Sequence, residues 1–300
     1  IDVILSPSPP LTIGVINIWL AKIKGCKTIY NVQEIYPDIL KRKEGLVIEQ
    51  LRRMERYVYN NSTAVTTIDR VFYNVIAGRF KDKSKLCIIP NFVDTGLYNP
   101  QGGNVECLNP LFFPATDSLK LLYAGNIGYA QDWEPLISLA EKTKGVSIEY
   151  FIIGEGVMKP VLEEKVRELE LDNVHILPYQ PRSLMPSILA YSDIQFIFMN
   201  PEMEMQGFPS KVYTIMACGR PLLVCSGKDT PIINFLQEHG CAKLITEKSL
   251  EEKVGEMADW LNSVSKSELA LLGRNGVEVI KRLYSKDVVT QKYVDLVEAL

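Results

Sequence analysis

The chain has 300 residues, 47% hydrophobic and 23% charged, with a formal net charge of −3. This composition excludes a disordered or collagen-like chain and leaves room for two domains, though short for two full-sized ones. The longest apolar run, Leu11 to Ala21, is broken by Gly14 and Asn17 and is too short to span a bilayer. Six cysteines stand far apart with no C-x-x-C pair, and His175 and His239 are the only histidines, so a reducing cytoplasmic setting without structural zinc is expected.

Taken in chain order, short apolar runs alternate with helical periodicities, the pattern of βα units on a parallel sheet. The chain opens on Ile1 rather than methionine and enters a strand at Val3 to Ser6, which reads as the start of a fragment or processed product. Further strands are expected at Thr28–Val32, Ala64–Thr67 and Leu86–Ile89. Between them, Leu11 to Ile23 has a helix entry at Pro9 and Pro10 and an exit at Gly25. A second helix places Leu46, Ile48, Leu51, Met54, Tyr57 and Val58 on one face, with Glu49, Arg52, Arg53 and Glu55 on the other.

Periodicity stops from Asn99 to Ser118, where prolines and glycines mark a linker. A second series follows, with strands at Leu119–Tyr123, Glu149–Ile153, Val174–Ile176, Ile194–Phe198, Leu222–Cys225 and Lys243–Ile245, enough for one doubly wound domain. The last segment, Asp287 to Leu300, is amphipathic and offers Val288, Tyr293, Val294, Leu296, Val297 and Leu300 for burial. The domain plan is therefore 1–100, a linker at 101–118, 119–282, and a C-terminal helix at 283–300 packing back toward the first domain. Trp19, Trp133 and Trp260 fall within apolar periodicities and read as packing residues, and His175 reads as structural.

Charge is uneven along the chain. Residues 1–100 carry 14 Lys and Arg against 9 Asp and Glu, and residues 101–300 carry 19 against 27. A basic first part suits an anionic lipid surface or a phosphorylated acceptor; the plain alternative is solvated helix faces, since Lys41, Arg42 and Lys43 are the only run of three consecutive basic residues. Nucleic acid is not expected as a partner.

Two segments suit an anion. The turn Tyr123-Ala124-Gly125-Asn126-Ile127-Gly128 follows a strand, and its glycines let backbone amides approach a ligand, or else make a tight βα turn and nothing more. It does not match G-x-G-x-x-G, so a dinucleotide fingerprint is not supported. The segment Gly207 to Pro221 reads as loop, helix and strand. Ser210 stands at the predicted helix start, either as an N-cap or with its neighbouring amides facing phosphate, and Lys211 adds a full charge. In outline this is a pyrophosphate site. No D-x-D pair, G-x-S-x-G elbow or P-loop occurs.

With these motifs in order, nearly the whole chain resembles the GT-B glycosyltransferases, in particular the retaining family four, which includes capsule and lipopolysaccharide sugar transferases. Ile88 to Asp94 resembles the I-P-N-G-V-D segment, with Phe92 replacing the glycine. Tyr123 to Gly128 resembles the glycine loop of the donor domain, Phe151 to Gly156 its G-x-G turn, and Pro209 to Pro221 the P-S-K-x-Y-E-Y-M-A-x-G-x-P pattern of the surface-polysaccharide branch. The family's two glutamates, separated by seven residues, read here as Gln206 and Thr214, with Glu204 nearby as a substitute or an exposed loop carboxylate. Its diphosphate-clamping Arg and Lys read as Asn126 and Gln131.

The resemblance implies an α/β fold of two doubly wound Rossmann-type domains facing a cleft, with the N-terminal one truncated. Such a truncation would expose a sheet edge and apolar helix faces and leave the isolated chain weakly active. It implies transfer of a sugar, with retention, from a UDP- or GDP-linked donor, needing no metal or other cofactor. The acceptor would be a polysaccharide precursor or lipid-linked saccharide, with peripheral contact at the anionic inner-membrane surface. The implied donor-binding set is Gly125, Asn126, Ile127, Gly128, Gln131, Gly154, Tyr179, Pro209, Ser210, Lys211 and Thr214, and Lys211 would also stabilise the leaving group. Tyr30 to Asp38 is similar to the family's strand end bearing a cleft carboxylate. Glu34 would there orient an acceptor hydroxyl, or else Glu34 and Asp38 cap the following helix. Asp69 and Arg70 also fall at a strand end. Rival readings are a UDP-sugar 2-epimerase-like enzyme and a non-catalytic nucleotide-sugar-binding remnant.

Overall fold

The computed structural model describes residues 1–38, 45–205, 208–247 and 249–300. Lys41 to Lys43, Gln206 and Gly207 lie outside the described residues. The chain divides into two units, Ile1–Phe92 with Lys286–Leu300, and Val93–Ser285.

Unit one holds β1 (Val3–Ser8), α1 (Leu11–Lys24), β2 (Lys27–Val32), α2 (Leu46–Asn61), β3 (Ala64–Thr67), α3 (Arg70–Ala77), β4 (Leu86–Ile88) and the chain's last helix. Its four strands run parallel in the order β1-β2-β3-β4. The inner strand β3, Ala-Val-Thr-Thr, is buried throughout, as a strand flanked on both sides and covered on both faces must be. Helix α1 stops where Gly25 takes a left-handed conformation, φ 66°. β1 lies at the sheet edge, and Leu5, Ile16, Trp19 and Ile23 are exposed. Trp19, at 63% exposure, therefore departs from the packing role its periodicity predicts. The periodicity marks a helix face but not whether anything lies against it.

A second departure lies in α2. Glu55, expected on the polar face, is 1% exposed. Its Oε1 accepts from Arg79 Nη1 at 2.5 Å and from Tyr59 Oη at 3.0 Å, while Arg79 also pairs with Asp38. Burial pushes the Glu55 carboxyl above its ordinary range, and the Arg79 charge opposes that rise. Asp38 does not cap α2, which begins after Gly45. Arg79 stands outside α3, so nothing in the periodicity of α2 reveals it as the partner that lets Glu55 turn inward.

Unit two holds β5 (Leu119–Ala124), α4 (Glu134–Lys142), β6 (Ile148–Ile153), α5 (Lys159–Glu168), β7 (Val174–Leu177), α6 (Met185–Tyr191), β8 (Ile194–Phe198), α7 (Lys211–Ala217), β9 (Leu222–Cys225), α8 (Pro231–His239), β10 (Ala242–Ile245), α9 (Leu250–Ser263) and α10 (Lys266–Val279). Its six strands run parallel in the order β10-β9-β8-β5-β6-β7. The central strands carry near-continuous apolar runs because helices cover both faces. Ser249 and Ser265 each accept the amide of a glutamate three residues on, which starts α9 and α10. Trp133 and Trp260 are buried, with their indole N–H groups donated to Gly128 O and Glu268. His175 pairs with Glu149 at 3.0 Å and stacks on Phe151.

The last helix, α11 (Lys286–Ala299), belongs to unit one, where Tyr293 Oη accepts from Asn31 Nδ2 at 2.8 Å. Its fully buried residue is Val289, while Val294 and Val297 are exposed, contrary to the amphipathic reading. Among the described residues, no helix is long and apolar enough to cross a membrane.

Removing Arg79 leaves a carboxylate buried without its main partner. Arg79→Met is expected to cost about 3 kcal/mol at pH 7 by urea unfolding. Glu55 already has a raised folded value, which the loss of Arg79 raises further, so the folded state binds the extra proton and stability falls as pH rises. The cost should therefore be smaller at pH 5 than at pH 7; equal costs would show that Glu55 finds another partner.

Candidate functional site

The sheet of unit two reverses its order between β5 and β8, and a parallel sheet opens a crevice beyond the carboxyl ends of its strands at such a point. The turn Gly125 to Gly128 leaves β5 there. It is stitched to the turn after β6, because Gly125 N donates to Ile153 O and Ile127 N to Glu155 O, both at 2.9 Å. Side chains are excluded at Gly125, Gly154 and Gly156. A β-carbon at Gly154 would stand 1.9 Å from Gly125 O, and Gly125 and Gly154 have φ of 156° and 149°.

This stitching narrows the predicted donor set. The amides of Gly125, Ile127 and Gly154 are engaged by backbone carbonyls, and the Ile127 side chain is wholly buried. Asn126 and Gly128 remain as the turn's candidate amides. Gln131 is buried, and its Oε1 accepts from Phe198 N at 3.1 Å, so its position in the sequence pattern corresponds to a structural brace at the end of β8.

Across the switch point, Lys211 opens α7. Its Nζ donates to Ala124 O at 3.1 Å and lies 3.7 Å from the centre of the Tyr123 ring. Tyr123 is buried and donates its Oη to Asn126 O at 2.7 Å. Burial lowers the Lys211 ammonium from 10.5 to about 7, because the charged form loses water. A β-carbon at Gly125 would stand 2.6 Å from Nζ, so the glycine makes the space that the ammonium fills.

The helix itself contributes less than expected. α7 has seven residues, and the amides of Val212 and Tyr213 are taken by the carbonyls of Pro209 and Ser210. Ser210 makes no side-chain cap bond and is exposed, so the N-cap alternative fails here. Thr214 is half-buried, with its carbonyl accepting from Cys218 N. Tyr179 is 66% exposed after β7, and its amide faces the Glu155 carboxylate. Glu204 is not an exposed loop carboxylate. Its Oε2 accepts from Gly227 N at 2.7 Å and from Ser226 Oγ at 3.1 Å, which ties the segment after β8 to the end of β9. No spacing in the sequence marks that tie.

In unit one, Glu34 is exposed just past β2 and accepts Ser8 Oγ through its carbonyl at 3.3 Å; like Asp38, it does not cap α2. Asp69 caps α3 by accepting Phe72 N at 2.7 Å, and Arg70 lies over the Tyr73 ring. Those contacts give Asp69 and Arg70 structural work at the strand end. Among the described residues, no three His, Cys, Asp or Glu side chains are grouped so as to hold a metal ion.

Residues 112–277 match the family described as "Glycosyl transferases group 1". Among curated proteins, the chain is 25% identical over 245 residues to WcaI of Escherichia coli K12, a protein that carries the name of a colanic acid biosynthesis glycosyl transferase. That alignment covers 78% of this chain and 60% of the relative, so the chain spans under two thirds of that protein. It is 21% identical to WbjE of Pseudomonas aeruginosa, named as a glycosyltransferase, over 100% of this chain and 75% of the relative. Among solved structures, Anabaena HepE in complex with UDP superposes with a TM-score of 0.80 at 14% identity, covering 100% of this chain and 79% of HepE. HepE has also been solved with UDP-glucose, with a TM-score of 0.75 at 14% identity over 99% of this chain and 79% of HepE. These likenesses establish the GT-B fold.

Lys211 offers a test that needs no ligand. Between about 7 and 10.5 the unfolded chain holds a proton on Lys211 that the folded chain has released, so this residue makes stability rise with pH across that window. Lys211→Met should flatten the rise between pH 7 and 9 in urea unfolding. An NMR titration should place the native ammonium near 7; a value at the ordinary lysine position would show it to be solvated.

Proposed function

The chain belongs to the glycosyl transferases group 1, and on that premise we propose that it is a retaining sugar transferase of family four, in the branch marked by the P-S-K motif. The donor in this reading is a UDP- or GDP-linked sugar, and the acceptor a polysaccharide precursor or lipid-linked saccharide. The bond between the anomeric carbon and the diphosphate oxygen breaks, the acceptor hydroxyl oxygen bonds to that carbon, and the hydroxyl proton is released. Negative charge gathers on the departing diphosphate. A cation already desolvated and aimed at that position stabilises the transition state more than the ground state.

The observation that carries the reading is the placement of Lys211. Its ammonium lies against Ala124 O and the Tyr123 ring at the switch point of the donor-type sheet, beside the Gly125 turn. The amides of Asn126 and Gly128, with Ser210, Thr214, Pro209 and Tyr179, complete the proposed donor set, and no metal is needed to offset the diphosphate charge. Glu34, exposed at the carboxyl end of β2, is the candidate to orient the acceptor hydroxyl. Peripheral contact with an anionic membrane belongs to the same reading and is supported by the basic balance of residues 1–100.

Lys211→Ala is expected to slow transfer from UDP- or GDP-sugars about a hundredfold, a loss of about 3 kcal/mol in transition-state stabilisation. Unchanged turnover would remove Lys211 from the mechanism. A nucleotide sugar keeps a constant diphosphate charge above neutrality, so its affinity should fall as pH climbs past the Lys211 value of about 7, by about fivefold between pH 7 and pH 8, which calorimetry at those two values reads directly.

A further inference from the structure

We propose that Tyr123 is a positioning residue whose ring face holds the Lys211 ammonium at the mouth of the glycine turn, so that donor affinity depends on the electron density of that ring. The proposal rests on Lys211 being the diphosphate-binding cation and goes beyond it by naming what keeps that cation in place.

A lysine side chain has four rotatable bonds and prefers to carry its charge into water. Here Nζ lies 3.7 Å from the ring centre, within the range at which the negative face of an aromatic ring attracts a cation. It donates a hydrogen bond to Ala124 O, the carbonyl next to Tyr123 in the chain. The ring itself is fixed. Tyr123 is buried, sits edge-on to Trp133 at 5.2 Å and lies 5.7 Å from Phe196, and Trp133 in turn is pinned by its indole bond to Gly128 O. The Tyr123 hydroxyl donates to Asn126 O inside the same turn. One side chain therefore touches both the cation and the backbone proposed to flank the diphosphate. A hydrophobic residue of similar volume would fill the core equally well, but it would offer the ammonium no negative face.

The experiment separates packing from attraction. At position 123, phenylalanine and its mono-, di- and trifluorinated counterparts keep the ring shape while draining its negative face. Binding of UDP and of GDP is measured for each by calorimetry, and the Lys211 ammonium is titrated by NMR without ligand. Tyr123→Phe should bind the nucleotide as the parent does or within about threefold, since the face is kept and the charged hydrogen-bonding partners are unchanged. Across the fluorinated series, affinity should fall stepwise by about tenfold in total, and the Lys211 titration should move to lower pH at each step. Tyr123→Leu should show the full loss, with Tyr123→Phe as its rescue. If Tyr123→Leu does not fold, the fluorinated series decides alone, because its volume hardly changes.

A flat series in both affinity and titration overturns the proposal. If Lys211→Ala weakens nucleotide binding while the series is flat, the donor site stands and only the role of Tyr123 falls. If Lys211→Ala leaves the affinity for both nucleotides unchanged, or neither nucleotide binds the parent, the reading of the site falls and this proposal falls with it.

Discussion

An ammonium group withdrawn from water on the floor of a parallel sheet is the interaction on which the candidate site depends. Desolvation opposes the charge on Lys211, and the groups that answer it are weak ones: a backbone carbonyl and the face of a tyrosine. Among the described residues, no carboxylate pairs with Nζ. A carboxylate there would have satisfied the cation permanently and removed its use for a phosphate. The missing β-carbon at Gly125 completes the arrangement, since any side chain there would stand where Nζ does. The local cost in stability leaves a charge uncancelled, which is what the proposed diphosphate contact requires.

Unit one shows the opposite use of the same physics. Glu55 is buried as well, yet it is answered by Arg79 and by the Tyr59 hydroxyl, and Arg79 is answered again by Asp38. A charge cluster that is internally satisfied fixes geometry, here the join of α2 to the residues after α3, and offers nothing to a ligand. Comparing the two clusters separates a structural buried charge from one left open to the proposed ligand. What differs is whether the partners cancel the charge, and that can be seen only when the partners are assembled.

Much of the site was legible in order but not in detail. Glycines after β5 and β6, and a lysine opening a helix after β8, are readable because turns of a doubly wound sheet need small residues at known places. Which amides remain for a ligand was not readable. Gly125 and Ile127 look like donors until the turn after β6 is laid beside them and accepts their N–H groups. Gln131 stands where a ligand contact was expected, and Glu204 where either a substitute contact or an exposed loop carboxylate was; both are taken up by distant backbone amides, those of Phe198 in β8 and of Gly227 just past β9. A polar side chain carries no local mark of which amide it will meet.

By itself the sequence determined the class of fold. Alternating apolar runs and 3.6-residue periodicities, punctuated by glycine and proline, report backbone conformation and burial over a few neighbouring residues, and those are local properties. Tertiary structure alone decided three things: that Glu55 turns inward, that Trp19 remains exposed, and that Lys211 meets a tyrosine 88 positions earlier in the chain. Each depends on contacts between residues far apart in sequence. Propensity and pattern are summed along the chain, whereas desolvation and partnership are settled across it.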